Sequence, residues 1–228
     1  MKIRTQVDLD AGWGLSESLF REFTNKLSGT VPRTIIEFGS GGSTLRMLKT
    51  FPEATIISFE HDQQWISYAR EQLQNHNSNL IQLYFAPLKW QLFLGAPYLT
   101  YSIADTQMPA SADIVLIDGP PYYTLRGREA CLYMAHSRIP IGGRIFLDDA
   151  QRSWEQQIIS NWKTTAGHCY DFELFAGDRK KMMMLTKYND APLRPSASVK
   201  KDARTCRREI RKNRFREYLG KWKKRLGF

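Results

Sequence analysis

Short apolar runs alternate with amphipathic segments along most of the chain, and this pattern predicts an α/β protein. Nearly continuous apolar runs, typical of strands that are buried on both faces, occur at residues 34–38, 55–59, 79–87, 112–117 and 144–147. Apolar residues at helical spacing predict helices at 16–27, 43–48, 63–73, 128–137 and 153–162. This alternation is typical of a doubly wound, mostly parallel sheet with helices on both faces.

Two parts of the pattern depart from the regular alternation. Residues 170–175 and 181–186 flank the turn Ala176-Gly177-Asp178-Arg179, and they predict an antiparallel hairpin at the end of the sheet. Residues 89–110 contain Pro97 and several tyrosines, and we expect an irregular connection there.

The most informative loop joins the first predicted strand to the next helix. It contains Gly39, Gly41 and Gly42, and Ser43 and Thr44 then open the helix. Glycines at such a turn let the backbone approach a ligand, and the helix start directs its free N–H groups at that ligand. Thr44 replaces the third glycine of the dinucleotide-binding pattern. The alternatives are a phosphate-binding loop and a tight strand–helix turn without a ligand.

Acidic residues near this loop narrow the choice of ligand. Glu37 lies two residues before Gly39, where its charge would repel a pyrophosphate and would suit a ligand with a positive ammonium group. Glu60 ends the second predicted strand, in the position where an acid accepts hydrogen bonds from ribose hydroxyls in this class of sheet. His61 is either an exposed loop residue or a ligand contact, and Trp65 is either a core residue or a ligand contact.

Several of these motifs resemble those of a known enzyme family. Glu37-x-Gly39-x-Gly41 resembles motif I of the class I S-adenosylmethionine-dependent methyltransferases, and the segment E-H-D-Q-Q-W at 60–65 resembles a block of small-molecule and glycan methyltransferases. The resemblance covers about residues 30–188 and implies an enzyme with a Rossmann-like, seven-stranded, mostly parallel sheet that ends in an antiparallel hairpin. It implies that S-adenosyl-L-methionine is the cofactor. The cofactor-binding residues implied in this way are Glu37, Gly39, Ser40, Gly41, Ser43, Thr44, Glu60, His61, Trp65 and Asp118.

Carboxylates at the ends of the fourth and fifth predicted strands are the candidates for catalysis. Asp118 and Asp148 are candidate general bases, because parallel strand ends face the same crevice as the glycine loop. With Asp149 they resemble the metal ligands of catechol-type O-methyltransferases and would suit Mg²⁺ or Mn²⁺, although Asp149 stands where that family has an amide. The alternatives are a metal-free base, and capping of the next helix by Asp149 or Ser153.

The segment after Asp118 bears on the methyl acceptor. I-D-G-P at 117–120 resembles the O-methyltransferase group that includes plant glucuronoxylan enzymes, whereas Gly119 interrupts the D-P-P-Y motif of adenine amino methyltransferases. We therefore expect O-methylation of a small molecule or glycan, with RNA methylation and a non-catalytic scaffold as alternatives. Arg126 and Arg128 could grip an acidic substrate group or lie on a solvated turn, and we expect His136 to be structural.

The net charge of the chain comes from its last residues. Residues 198–228 contain 13 Lys and Arg against 3 Asp and Glu, which accounts for the whole net charge of +10. Their apolar positions have helical spacing, and we expect a helix that docks on the domain or on a second copy in a homo-oligomer. The alternatives are binding to RNA and binding to an anionic membrane surface. The apolar stripe comprises Ala203, Cys206, Ile210, Tyr218, Trp222 and Leu226.

Composition and linkers set the remaining expectations. We divide the chain into an N-terminal arm and helix (1–30), a methyltransferase domain (31–190) and a basic helical extension (191–228). The scattered Cys131, Cys169 and Cys206 do not form a disulfide framework, and the first ten residues lack the apolar core of a signal peptide. We therefore expect a cytoplasmic protein without a transmembrane helix.

Overall fold

The structure, a computed structural model, describes residues 14–73 and 80–225, with side chains as far as residue 212. Its strands are β1 (Thr34–Phe38), β2 (Thr55–Glu60), β3 (Ile81–Phe85), β4 (Leu88–Phe93), β5 (Ala96–Tyr101), β6 (Ile114–Ile117), β7 (Arg144–Leu147), β8 (Tyr170–Ala176) and β9 (Lys181–Lys187). Its α-helices are α1 (Glu17–Lys26), α2 (Gly42–Thr50), α3 (Gln63–Leu73), α4 (Gly127–His136), α5 (Ser153–Ala166) and α6 (Ala197–Arg225).

Seven of these strands form one sheet, in the order β3-β2-β1-β6-β7-β9-β8. The first five strands in this order are parallel, and β9 runs antiparallel to both of its neighbours. The predicted doubly wound sheet and its closing hairpin are therefore confirmed. Since β1 lies between β2 and β6, the strand order reverses beside β1, and a crevice opens at the carboxyl ends of β1 and β6.

Local sequence signals explain why α1 forms and how it packs against the sheet. Ser16 caps α1 by accepting a hydrogen bond from the N–H of Leu19 at 3.3 Å. Leu19 and Phe23 are buried from this helix, and the Phe23 ring packs edge-on against Phe146 of β7 at 4.7 Å between centroids. The predicted helix at 16–27 is thus confirmed, whereas most of the predicted N-terminal arm lies outside the described residues.

The prediction of an irregular connection at 89–110 is wrong for its first half. β4 and β5 form a separate antiparallel hairpin, whose turn places Leu94 at φ 49° and Gly95 at φ 81°. Every residue of β5 is buried, so the strand lacks the alternating pattern that reveals a half-exposed strand. Pro97 is tolerated because the ladder has only two strands, and a backbone N–H is not needed on its open side.

The basic helix α6 packs on this hairpin. Val199, Ala203, Cys206 and Ile210 are buried from its first half, and the last two cluster with Leu99 of β5. The first half of α6 thus lies against the domain, and docking of the extension on the domain or on a second copy stays a prediction for the rest of it. Tyr218, Trp222 and Leu226 lie outside the side chains that the structure describes.

A helix that crosses a membrane has to be both long and apolar. Within 14–73 and 80–225, no helix is both long and apolar enough to do so. The three cysteines are free and buried.

Candidate cofactor and catalytic site

The glycine loop lies at the crevice, and its first glycine is fixed by the protein itself. Gly39 has φ 103°, and its N–H donates to the Phe59 carbonyl of β2 at 2.8 Å. A Cβ atom at Gly39 would lie 2.8 Å from the backbone nitrogen of Gly119, which follows β6. Both the backbone angle and the close approach of the two strand ends therefore require glycine here.

The second glycine leaves space that the protein does not use. A Cβ atom at Gly41 would meet only the Trp65 ring, at 3.8 Å, among the described atoms within 4 Å. The neighbouring Ser40 hydroxyl is buried and has no hydrogen-bond partner among the described residues. The Trp65 indole N–H donates to the Ser40 carbonyl at 2.7 Å, so α3 fixes the loop. An open cradle beside an unpaired hydroxyl fits a bound ligand.

Glu37 supports this loop from beneath. Its carboxylate accepts hydrogen bonds from Ser43 and Thr44 at 2.5 Å and from Ser58 at 2.7 Å, and it is fully buried. Burial raises the pKa of Glu37 to about 7, against the opposing effect of these hydroxyls. The Glu37 carboxylate already accepts three hydrogen bonds from hydroxyl groups of the protein. Glu37, Ser43 and Thr44 therefore stabilise the conformation of the loop from its buried side.

The acid at the end of β2 lies beside the same crevice. Glu60 is 4% exposed, and its Oε1 accepts from the N–H groups of His61 and Asp62 at 2.7 and 2.8 Å. The His61 ring lies edge-on to Tyr101 of β5, at 6.3 Å between centroids. Tyr101 is buried and stacks on Phe38, and burial followed by the charge of Glu60 raises the pKa of its hydroxyl. Sequence reasoning missed Tyr101 because it lies in the hairpin that was predicted to be irregular.

Three carboxylates meet across the crevice from the glycine loop. Ligand atoms of Asp118, Asp148 and Asp149 all lie within 4.8 Å of one another, as the strand-end rule predicts. Asp148 and Asp149 are buried, whereas the side chain of Asp118 is 15% exposed. Asp118 is therefore the carboxylate of the three that an acceptor can reach most readily.

Basic side chains surround this acidic cluster. Arg128 lies 3.3 Å from Asp149, 3.6 Å from Asp118 and 3.7 Å from Glu155. Lys180 Nζ lies 3.2 Å from Asp148 Oδ2 and 3.5 Å from Asp149 Oδ1, and Arg152 lies 2.7 Å from Asp149. The predicted uses of Arg128, as a substrate grip or on a solvated turn, are wrong, because the residue is buried among protein carboxylates.

These cations make the cluster a poor fit for a divalent metal. A metal bound by the three carboxylates would share Asp148 and Asp149 with the ammonium of Lys180, and the ion and the ammonium would repel each other. Arg128 and Arg152 already neutralise Asp149. The three acids thus have side-chain counterions, and the cluster does not fit Mg²⁺ or Mn²⁺.

Burial and the neighbouring charges together set the protonation of the carboxylate cluster. Burial is the main cause of the raised pKa of Asp118 and of Asp148, and the neighbouring acids add to it. Burial opposes the charge of Lys180, but the attraction of Asp148, Asp118 and Asp149 outweighs it and raises the pKa of that amine. Asp148 Oδ1 is buried and lacks a hydrogen-bond partner within the described part of the chain. A proton shared in this cluster would satisfy that atom.

Other candidate residues are placed away from this chemistry. Arg126 pairs with Glu129 in the core, so both predicted uses of Arg126 are wrong too. His136 Nδ1 lies 2.9 Å from the Tyr170 hydroxyl, and burial lowers the pKa of His136 to about 4, as suits a structural role. The proposed capping of α5 is also wrong, because Arg152 is its N-cap residue and no side chain caps the helix.

Comparison with known proteins gives structural matches alone. No protein-family model matches the chain. No curated protein matches it either. An O-methyltransferase from Bacillus cereus in complex with S-adenosylhomocysteine aligns with a TM-score of 0.57 and 14% identity, over 78% of this chain and 84% of that one.

Two further solved structures have similar scores. A precorrin-6y C5,15-methyltransferase from Geobacter metallireducens aligns with a TM-score of 0.56 and 14% identity, over 78% of this chain and 92% of that one. An rRNA methylase from Streptococcus thermophilus aligns with a TM-score of 0.53 and 11% identity, over 77% of this chain and 99% of that one. These neighbours act on different acceptors, so the likeness defines the architecture and leaves the acceptor open. The chain has the fold of the class I S-adenosylmethionine-dependent methyltransferases, as its motifs predict.

Proposed function

We propose that this protein is an S-adenosylmethionine-dependent methyltransferase that methylates an oxygen atom of a small molecule or glycan, without a metal. The observation that carries the proposal is the open cradle at Gly41, beside the unpaired Ser40 hydroxyl and across the crevice from Asp118. A cofactor and an acceptor could meet there, at the point where the strand order reverses.

The glycine loop and the end of β2 would hold the cofactor. Gly39 and Gly41 allow close approach of the backbone, Ser40 offers a hydroxyl, and Glu60 would accept hydrogen bonds from the ribose hydroxyls. His61 follows Glu60 and Trp65 donates a hydrogen bond to the Ser40 carbonyl of the loop, and both are proposed cofactor contacts. When bound, S-adenosylmethionine supplies a methyl group already activated by a positive sulfur. The protein therefore has to position the acceptor and remove its proton.

Asp118 is the proposed general base. Burial raises its pKa above that of an ordinary aspartate, which makes its carboxylate a stronger base toward a hydroxyl proton. Asp118 would accept the proton of the acceptor hydroxyl as that oxygen is methylated, and bound S-adenosylmethionine would supply the methyl group. Asp148 could share the proton that Asp118 accepts. Lys180 pairs with Asp148 and Arg128 with Asp118, so both carboxylates have a positive counterion.

Calorimetric titration with S-adenosylhomocysteine tests the cofactor site. We expect micromolar binding by the wild type, loss of at least tenfold in affinity in Glu60→Ala, and loss of binding in Gly41→Val, whose side chain would fill the cradle. Glu53→Ala removes an exposed acid near β2 and serves as the matched control, with unchanged affinity. Thermal denaturation of each variant checks that the fold survives.

Two results would contradict this assignment. Equal affinity of wild type, Glu60→Ala and Gly41→Val would place the ligand elsewhere. Failure to bind S-adenosylhomocysteine, together with binding of NAD, would mean that the loop serves a dinucleotide. With binding established, methyl transfer from labelled cofactor to panels of hydroxylated small molecules and glycans, and its loss in Asp118→Asn, tests the acceptor class.

RNA is the second candidate acceptor, and the basic charge of α6 supports it. Methyl transfer to RNA and not to the small-molecule and glycan panels would favour this alternative. A non-catalytic scaffold is the third reading, and light scattering of the full chain and of a chain ending at Ser196 tests whether α6 holds an oligomer together. Cofactor binding without transfer to either class of acceptor, with an oligomer lost on truncation, would favour the scaffold.

A further inference from the structure

A groove between α6 and the β4–β5 hairpin is lined by arginines. It encloses about 380 Å³, and its apolar wall is formed by Leu92 and Pro97 beside the hairpin turn. Four arginines of α6 form the facing wall, and they are Arg204, Arg207, Arg208 and Arg211. Their spacing of three, one and three residues places them on one side of the helix.

Within the part of the chain that the structure describes, carboxylates do not neutralise the guanidinium groups in this groove. Among the described side chains, none of the four arginines forms an ion pair with a carboxylate. Arg207 lies over the Trp90 ring at 5.3 Å, which fixes its orientation, yet its Nε is buried without a hydrogen-bond partner in the described part of the chain. A buried, unpaired donor among four positive charges points to an anionic ligand.

The extent of the arginine row argues for a polymer. Arg204 and Arg211 are seven residues apart, which corresponds to about 10 Å along the helix axis. One phosphate or carboxylate group cannot contact guanidinium groups at both ends of such a row. Successive phosphates of a chain can, and arginine pairs with phosphate through two parallel hydrogen bonds.

The groove is separate from the proposed catalytic site. β5 runs from the hairpin turn at Gly95 to Tyr101, whose hydroxyl lies against Gly119, and six residues of strand span roughly 20 Å. A small acceptor at Asp118 could not reach the arginines over this distance. The groove therefore needs a ligand of its own, or a chain long enough to extend along β5.

A membrane surface fits this region less well than a nucleic acid does. The apolar residues in the first half of α6 are buried against the domain, so this part of the helix cannot insert them between lipids. The arginines also line a concave groove, which a flat surface would not enter. The exposed side chain of Leu92 offers apolar contact to a sugar or base.

We infer that the groove between α6 and the β4–β5 hairpin binds the phosphodiester backbone of a single-stranded nucleic acid. This inference does not depend on methyl transfer, because it concerns a surface away from the glycine loop. It would bring a nucleic acid to this protein whether or not that nucleic acid is the methyl acceptor.

Fluorescence polarisation with labelled single-stranded RNA and DNA oligonucleotides of mixed sequence tests the inference on the full chain. Arg204→Gln/Arg208→Gln removes two exposed groove charges, and Lys201→Gln/Lys212→Gln removes two exposed charges of α6 outside the groove. We expect at least tenfold weaker binding in the arginine variant and less than threefold in the lysine control. The slope of log K against the logarithm of salt concentration should decrease in magnitude by about 1.4 in the arginine variant, since each contact to a single-stranded phosphate contributes about 0.7 to that slope.

The competing outcomes are distinct. Equal losses in the two double variants would show diffuse attraction to α6 and overturn the groove assignment. Equally tight binding of a mononucleotide would overturn the requirement for a chain. Binding to vesicles containing phosphatidylserine, with no salt-sensitive binding of RNA or DNA, would replace the nucleic acid with a membrane surface. Preference between the RNA and DNA arms identifies which backbone is bound.

Discussion

Lys180 Nζ lies 3.2 Å from Asp148 Oδ2, so a lysine in the turn of the antiparallel hairpin, directly before β9, neutralises an acid at the end of the last parallel strand. The pairing of β7 with β9 brings the two residues together, with Leu147 opposite Met183. The carboxylate cluster thereby contains a cation of its own. This is the main difference between the observed site and the three-acid metal site predicted by its motifs.

Because Lys180 pairs with Asp148, we expect divalent metals not to stabilise the folded protein. Millimolar Mn²⁺ or Mg²⁺ should change the melting temperature of the EDTA-treated wild type by less than about 1 °C, because a ligand stabilises only as far as it binds the folded state. Lys180→Met should be less stable than the wild type by about 1–3 kcal/mol, since Asp148 loses its counterion. Differential scanning fluorimetry and urea denaturation measure both effects. A concentration-dependent rise in the wild-type melting temperature that Asp149→Asn abolishes would restore the metal site.

Arg128 and Arg152 provide a matched test of burial, because both pair with Asp149. Arg128 is 4% exposed and also donates to the carbonyl oxygen of Asp148 at 3.0 Å, whereas the Arg152 side chain is 39% exposed. Arg128→Gln leaves several buried acids without a counterion and should cost about 3–5 kcal/mol of unfolding free energy. Arg152→Gln should cost about 1 kcal/mol or less. Equal losses in urea denaturation would show that the buried cation is not the centre of this network.

The two glycines of the loop should differ in how much stability is lost when each is replaced by alanine. Gly39→Ala forces a methyl group toward the Gly119 backbone at φ 103°, and it should destabilise by about 1–3 kcal/mol. Gly41→Ala meets only the Trp65 ring and should change stability by less than about 0.5 kcal/mol. Thermal and urea denaturation of the two variants measure the contrast. A large loss in Gly41→Ala would mean that the protein, and not a ligand, requires this glycine.

The parts of the structure that local patterns encode could be predicted from the sequence. Buried strands, the glycine loop and the acids at the strand ends follow from short apolar runs and from the topology of parallel sheets. Lys180, Arg128 and Tyr101 could not be assigned in this way. Each joins the site through a contact between distant elements, and a single lysine or arginine carries no signal of the acid it will meet. The β4–β5 hairpin could not be predicted either, because full burial of β5 removes the alternation of apolar and polar residues that identifies a strand.

Glu37 predicts a pH dependence of stability. In the folded protein, burial raises its pKa to about 7 from an ordinary value of 4.5, so the folded state binds its proton more tightly than the unfolded state. The contribution of Glu37 to stability is therefore fully present below about pH 4.5 and is lost as the pH rises through 7. Glu37→Gln, which stays neutral, should become more stable relative to the wild type by about 3 kcal/mol between pH 4.5 and 7.5. Urea denaturation across this range, with Glu53→Gln as the exposed control, measures the difference. A constant difference between Glu37→Gln and the wild type would show that Glu37 is ionised throughout, with the hydroxyls of Ser43, Thr44 and Ser58 sufficient to stabilise its buried charge.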